Sequence, residues 1–256
     1  MTGIDHNRYE RIWVLAKTSF LKRYYGSFLG VVWAFINPAV HLMIYYIIFT
    51  VVFRSRVEDF ALFLFLGLIM LMFFNESTNK GLTFFSSHRY ILENIKIDWL
   101  DLFLAALLST FIAFLFNFGV FLLISIFFET EISPQVLFFP FILLNHILFC
   151  LGTMFILSVL FVHFKDVKHL WNLSSMVLLW MSGVFYEIDP ATSWKTGILA
   201  YLTPLPGIII NTRNVWIYGE GIDWTLFAYD YAYAGVIVLV GWFLVKRFSR
   251  RGLEKL

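Results

Sequence analysis

Residues 31–53 read VVWAFINPAVHLMIYYIIFTVVF, 23 residues without one charged side chain. Crossing the hydrocarbon core of a bilayer takes about 20 apolar residues in a helix. This stretch is therefore long enough to span and too apolar to rest on a wet surface. Outward from it the pattern repeats. Residues 60–74 are apolar but short, and continue as helix through 75–82, where Glu76 and Lys80 are spaced to pair at the membrane edge. Residues 100–128, 135–162, 169–186 and 224–245 are further spans. The reading is a single all-α integral membrane domain over 1–256 with six transmembrane helices.

Composition agrees. Of 256 residues, 60% are hydrophobic and 14% charged, where a soluble domain carries about 25% charged residues. Aromatics reach 20%. A soluble domain cannot bury that much apolar surface behind a polar exterior. A soluble enzyme, a nucleic-acid binder and a disordered regulator are excluded as first readings. The net charge of +2 gives no reason for a nucleic-acid partner, and the single cysteine, Cys150, forms no internal disulfide. Charges recur from Asp5 to Arg23 with no apolar core among them, so no secretory signal peptide is expected.

Basic residues set the orientation. With six spans and both termini cytoplasmic, 15 of the 19 Lys and Arg fall on the cytoplasmic side. Arg54, Arg56, Lys195 and Arg213 remain outside. A seventh span would put the basic C-terminal end outside, against the positive-inside rule. The membrane in question is the cell (inner) membrane.

Two segments do not span. In residues 7–25, Tyr9, Ile12, Trp13, Ala16, Phe20 and Tyr24 recur at helical spacing, with Arg8, Arg11 and Lys17 between them. That predicts an amphipathic helix in the cytoplasmic interface. Residues 196–212 are uncharged but hold Pro204 and Pro206 between glycines. Proline in a helix interior removes a hydrogen bond and clashes with the preceding turn. Two short helical pieces, 191–201 and 205–216, are predicted as a re-entrant or interfacial outer gate before the last span. Trp194, Tyr201 and Tyr229 are its candidate cargo-facing rings.

Candidate chemistry is sparse. There is no G-x-x-x-x-G-K-[ST], G-x-S-x-G or H-E-x-x-H. No catalytic, cofactor-binding or metal residue is assigned. His41 and His146 lie inside spans and are read as hydrogen-bonded to neighbouring helix rather than as proton relays. Asp230 stands inside the last span and is either a functional intramembrane charge or close enough to reach outer water. The Trp and Tyr at the outer ends of spans five and six suit an interfacial belt and equally a pathway for amphipathic cargo such as sugars.

Residues 20–38, FLKRYYGSFLGVVWAFINP, resemble the R-Y-x-x-S-x-L-G-x-x-W-x-x-x-x-P motif of permease subunits of type-2 ABC exporters, through Arg23, Tyr24, Ser27, Leu29, Gly30, Trp33 and Pro38. Residues 163–170, HFKDVKHL, are similar to the family's F-R-D turn between spans four and five, with Lys165 in place of the usual arginine. Residues 203–207, TPLPG, look like its proline segment before the last span. The resemblance covers the whole chain and points to the polysaccharide branch, O-antigen before capsule or teichoic acid.

The resemblance implies two permease copies with a conduit between them and two copies of a separate ATPase, which holds ATP and magnesium. It also implies a lipid-linked polysaccharide driven outward through the bilayer. A soluble ATPase reaches only cytoplasmic segments. Residues 86–98, with Arg89, Tyr90, Glu93 and Lys96, are the first coupling candidate; Lys165 and Asp166 are the second. Gly26 and Gly30 would let the chain turn into the membrane, and Pro38 would kink span one. A drug-type exporter on the same fold, and an integral-membrane transferase using Glu187, Asp189 or Asp230, are the alternatives.

Overall fold

The computed structural model describes residues 3–52, 59–95, 97–130, 132–188 and 194–253. The chain runs through α1 (Gly3–Lys22), α2 (Trp33–Ile47), α3 (Phe60–Leu82), the short α4 (Phe84–Ser87) and α5 (Arg89–Asn94), and α6 (Trp99–Phe127). It continues through α7 (Phe139–His163), α8 (Val167–Met181), α9 (Trp194–Ala200), α10 (Pro204–Arg213) and α11 (Trp224–Leu253). No strand occurs among the described residues. Five stretches are long and apolar enough to cross a membrane: Gly30–Val51, Phe60–Leu82, Trp99–Phe127, Pro134–His163 and Trp224–Phe248. These coincide, within two residues at most ends, with five of the six predicted spans. The exception is the span expected at 169–186. Its helix, α8, has 15 residues, about 22 Å at ~1.5 Å rise per residue. It stops because Gly183 takes φ +72°, the left-handed conformation that ends helices.

α3 forms the centre of the bundle, buried almost from Phe60 to Leu82, with α6 and α7 packed on it and the α7–α11 pair beside them. Small residues allow the closest approaches, as in membrane bundles generally. A Cβ on Gly152 of α7 would stand 2.6 Å from Ile237 Cγ2 and 2.7 Å from the Val238 nitrogen. One on Gly241 of α11 would stand 2.9 Å from the Gly152 carbonyl oxygen. His146 on α7 shares a 3.2 Å hydrogen bond with the Met70 carbonyl of α3, the helix-bonded role expected of it. His41 instead bonds the Asn37 carbonyl of its own helix at 2.8 Å.

The amino-terminal segment is helical over Gly3–Lys22, but the predicted apolar stripe divides. Ala16, Phe20 and Tyr24 are buried, while Tyr9 and Trp13 are 78% and 51% exposed. Arg8 and Arg11, expected between the apolar positions, face Asp101. Arg8 Nε donates to Asp101 Oδ1 at 2.6 Å and Arg11 Nη2 to Asp101 Oδ2 at 2.9 Å. Asp101 lies in the first turn of α6 and is 1% exposed. A carboxylate there needs cations to offset its desolvation, and α1 supplies two. The expected Glu76–Lys80 pair is replaced as well. Glu76 accepts from Arg23, and Lys80 donates to Ser109 Oγ of α6. Partners on other helices bury more surface than a neighbour one turn away on the same helix.

Candidate functional site: a helical hairpin and the groove beside it

The predicted pair of short helices is present as α9 and α10, joined by a turn at Tyr201–Thr203. Pro204 opens α10 at the position where a missing N–H costs nothing. Pro206 is still within the first turn, so both prolines are compatible with helix. Pro204, Pro206 and the Ile208–Ile209 pair are buried against the bundle. A π-helical turn, Asn214–Tyr218, follows and ends at Gly219 with φ +64°. Trp216 in this turn packs edge-on to Phe118, Phe121 and Phe139, ring centroids 5.2 to 5.9 Å away. Asp223 then caps α11, accepting from the Thr225 and Leu226 nitrogens at 2.9 and 3.1 Å.

Arg213 holds this hairpin to the rest of the molecule. It is 3% exposed. Its Nε and Nη2 donate to the Phe63 carbonyl of α3 at 3.2 and 3.0 Å. Nη1 donates to the Gly183 carbonyl at 2.7 Å and Nη2 to that of Val184 at 3.0 Å. The guanidinium carbon stands 3.3 Å from the centroid of the Phe63 ring. The forked guanidinium thereby satisfies carbonyls freed where α8 ends, which a point-charge ammonium could not span. Gly67 makes room: a Cβ there would meet Nη2 at 2.6 Å. Sequence reading placed Arg213 with the outer basic residues. No local pattern marks it as buried, since its partners are backbone atoms 29 to 150 residues away.

Asp230 is also inside, at 1% exposure. Neither of its carboxylate oxygens has a hydrogen-bond partner. It packs against Gly207 of α10, where any Cβ would collide with it.

Tyr201 and Tyr229 come together. Their rings are 5.3 Å apart, edge to face, and the Tyr229 hydroxyl donates to the Tyr201 carbonyl at 2.5 Å. The side chain of Trp194 lies outside the described residues, as do Lys96 and Asp189. Tyr233, a turn further along α11, lies tilted with its ring centroid 6.0 Å from that of Tyr229 and opens onto a groove of about 530 Å³ between α7, α8 and α11. Rings and hydroxyls share its wall: Trp171, Tyr233, Thr153, Ser174 and Thr203. Arg213 itself lines a second cavity of about 460 Å³, with Glu187, Tyr218, Glu220 and Asp223. Tyr218 donates to Glu187 Oε1 at 2.8 Å. Burial, then that hydrogen bond, pushes the Tyr218 phenol above its ordinary pKa.

The coupling candidates are at the opposite end. α5 presents Tyr90 at 74% exposure, and Arg89 Nε bonds Glu93 Oε1 at 2.8 Å across one turn. Lys165 lies over the Phe161 ring at 4.7 Å, and Asp166 precedes the first residue of α8. Of the motif at the start of the first span, Gly26 and Gly30 take φ +78° and +50°, the turn expected of them. Arg23 bonds Glu76, Tyr24 stacks edge-on to Phe20 at 5.4 Å, Pro38 is buried inside α2, and Ser27 and Trp33 are exposed.

Residues 10–210 match the ABC-2 type transporter family. The chain is 29% identical over 205 residues to the O-antigen export system permease protein RfbA of Myxococcus xanthus, covering 79% of this chain and 78% of that one. It is 24% identical over 253 residues to a protein of the same name from Klebsiella pneumoniae, covering 94% and 93%. A second Klebsiella pneumoniae relative, also so named, is 25% identical over 246 residues, covering 90% and 86%.

Proposed function

Because this chain belongs to the ABC-2 type transporter family, we propose that it is the permease of an ATP-driven exporter that moves a lipid-linked polysaccharide, O-antigen foremost, outward from the cytoplasmic side. The observation that carries this reading is the end-to-end likeness to O-antigen export permeases, 94% of the chain in one case. An integral membrane protein of this family works with a separate ATPase, which would hold the ATP and magnesium. In the proposed complex two copies of this chain meet two copies of that ATPase at α5 and at the Lys165–Asp166 turn, and the conduit runs between the permeases.

The unburied helices support the pairing. α8 has no buried residue, and only 11% of the Gly30–Val51 window is buried inside the chain. In this reading α8 is the fifth of six spans. It is too short to cross by itself, so the turns at its two ends complete the crossing, and Arg213 satisfies the backbone carbonyls of the outer one. Irregular backbone survives at membrane depth only where protein or water covers it. Both termini are then cytoplasmic, α1 lies in the inner interface, and α9 and α10 form the outer gate above the aromatic groove.

Deleting the gene in a host that displays the polymer is the test. Lipid-linked polymer should accumulate inside the cell, and the wild-type chain with its ATPase should restore surface display. Undiminished display without the chain would overturn the reading.

A further inference from the structure

At the foot of the bundle, far from the hairpin, α1 does not lie flush on its neighbours. One face of α1, the α4–α5 junction and the first turns of α6 enclose a pocket of about 310 Å³. Its polar side carries Ser19, Lys22, Ser87 and His88; its other wall is aliphatic, with Leu15, Ile91 and Leu102. No carboxylate lines it. The acids nearby are already engaged: Asp101 by Arg8 and Arg11, Glu76 by Arg23, and Glu93 by Arg89. Asp98 caps α6 by accepting from the Leu100 nitrogen at 3.2 Å. Lys22 forms no ion pair among the described residues. Burial holds the His88 imidazole below its ordinary pKa, against its hydrogen bond to the Phe84 carbonyl, and the Lys80 ammonium acts in the same direction as burial. The pocket therefore has a surplus of positive charge and hydroxyl donors on one side and hydrocarbon on the other.

We propose that this pocket binds the phosphate of an anionic phospholipid, with Lys22 as the charge, Ser19 and Ser87 as hydroxyl donors, and the lipid's chains along the aliphatic wall. Charge complementarity selects an anion, and the aliphatic wall selects a lipid over free phosphate. The bound lipid would join α1 to the α4–α5 junction, so it would brace the element proposed to meet the ATPase. The inference rests on the membrane-spanning reading but not on the cargo.

Native mass spectrometry of the purified full chain in detergent tests it, because neither transport nor sidedness enters the measurement. Titrated with dioleoyl phosphatidylglycerol and dioleoyl phosphatidylcholine, the chain should retain the anionic lipid about fivefold more strongly, as one basic contact provides. Lys22→Gln should remove that preference and Lys22→Arg should keep it, with the melting midpoint of Lys22→Gln unchanged as the check on folding. Equal retention of the two lipids, or a preference that survives in Lys22→Gln, overturns the proposal. So does displacement of phosphatidylglycerol by millimolar inorganic phosphate, which would make the site one for free phosphate.

Discussion

A guanidinium with only carbonyl oxygens and a ring face around it leaves little room for substitution. Replacing Arg213 with Met strands the carbonyls of Gly183 and Val184, each at a cost of about 1–3 kcal/mol when buried. A loss of that size lowers a melting midpoint by about 4 °C or more in a chain of this length. Arg213→Lys keeps the charge but cannot reach three carbonyls at once, so it should recover less than half of the loss. Scanning fluorimetry of the three proteins checks the order; full stability in Arg213→Lys would mean that charge alone matters there. Asp230 is the opposite case. Its place within an apolar run is visible in the sequence, which leaves its burial open between two readings. Arg213 carries no such mark, because it sits between Thr212 and Asn214 at the end of a short segment and all of its partners are backbone.

Helices were legible where apolar length alone decides them. Phe60–Leu82 is read to the residue, and the two prolines of α10 mark a segment that is broken into two short helices. α8 was read too long because residues 182–186 are as apolar as the helix before them, and a left-handed Gly183 does not show in hydropathy. The orientation of α1 was missed for a similar reason. Periodicity says which residues share a face but not that a buried Asp101 waits on α6. At this scale α5 carries the coupling test. The Arg89–Glu93 pair is about half exposed and contributes little to stability, as exposed pairs do. Exchanging the two charges, Arg89→Glu with Glu93→Arg, keeps the pair and inverts the pattern offered to a docking protein. Insertion and melting should stay as in wild type while copurification of the ATPase falls. Undiminished copurification would remove electrostatic docking at α5.

For the molecule as a whole, sidedness turns on the shortest helix. If α8 crosses the bilayer, Lys168 in its first turn and Glu220 beyond the hairpin lie on opposite sides. Both are exposed. Cysteines placed there one at a time, with the buried Cys150 replaced by alanine, should react with an impermeant maleimide from opposite faces of oriented vesicles. Labelling from one face would leave five crossings and separate the termini. The clamp on Asp101 has a consequence for how the chain is made. Arg8 and Asp101 are 93 residues apart, so α1 leaves the ribosome long before its partner exists. Until α6 is inserted, its two arginines have only lipid headgroups and water to face. Seating α1 is thus a late event, and the nascent chain closes this end of its bundle only after α6 has been made.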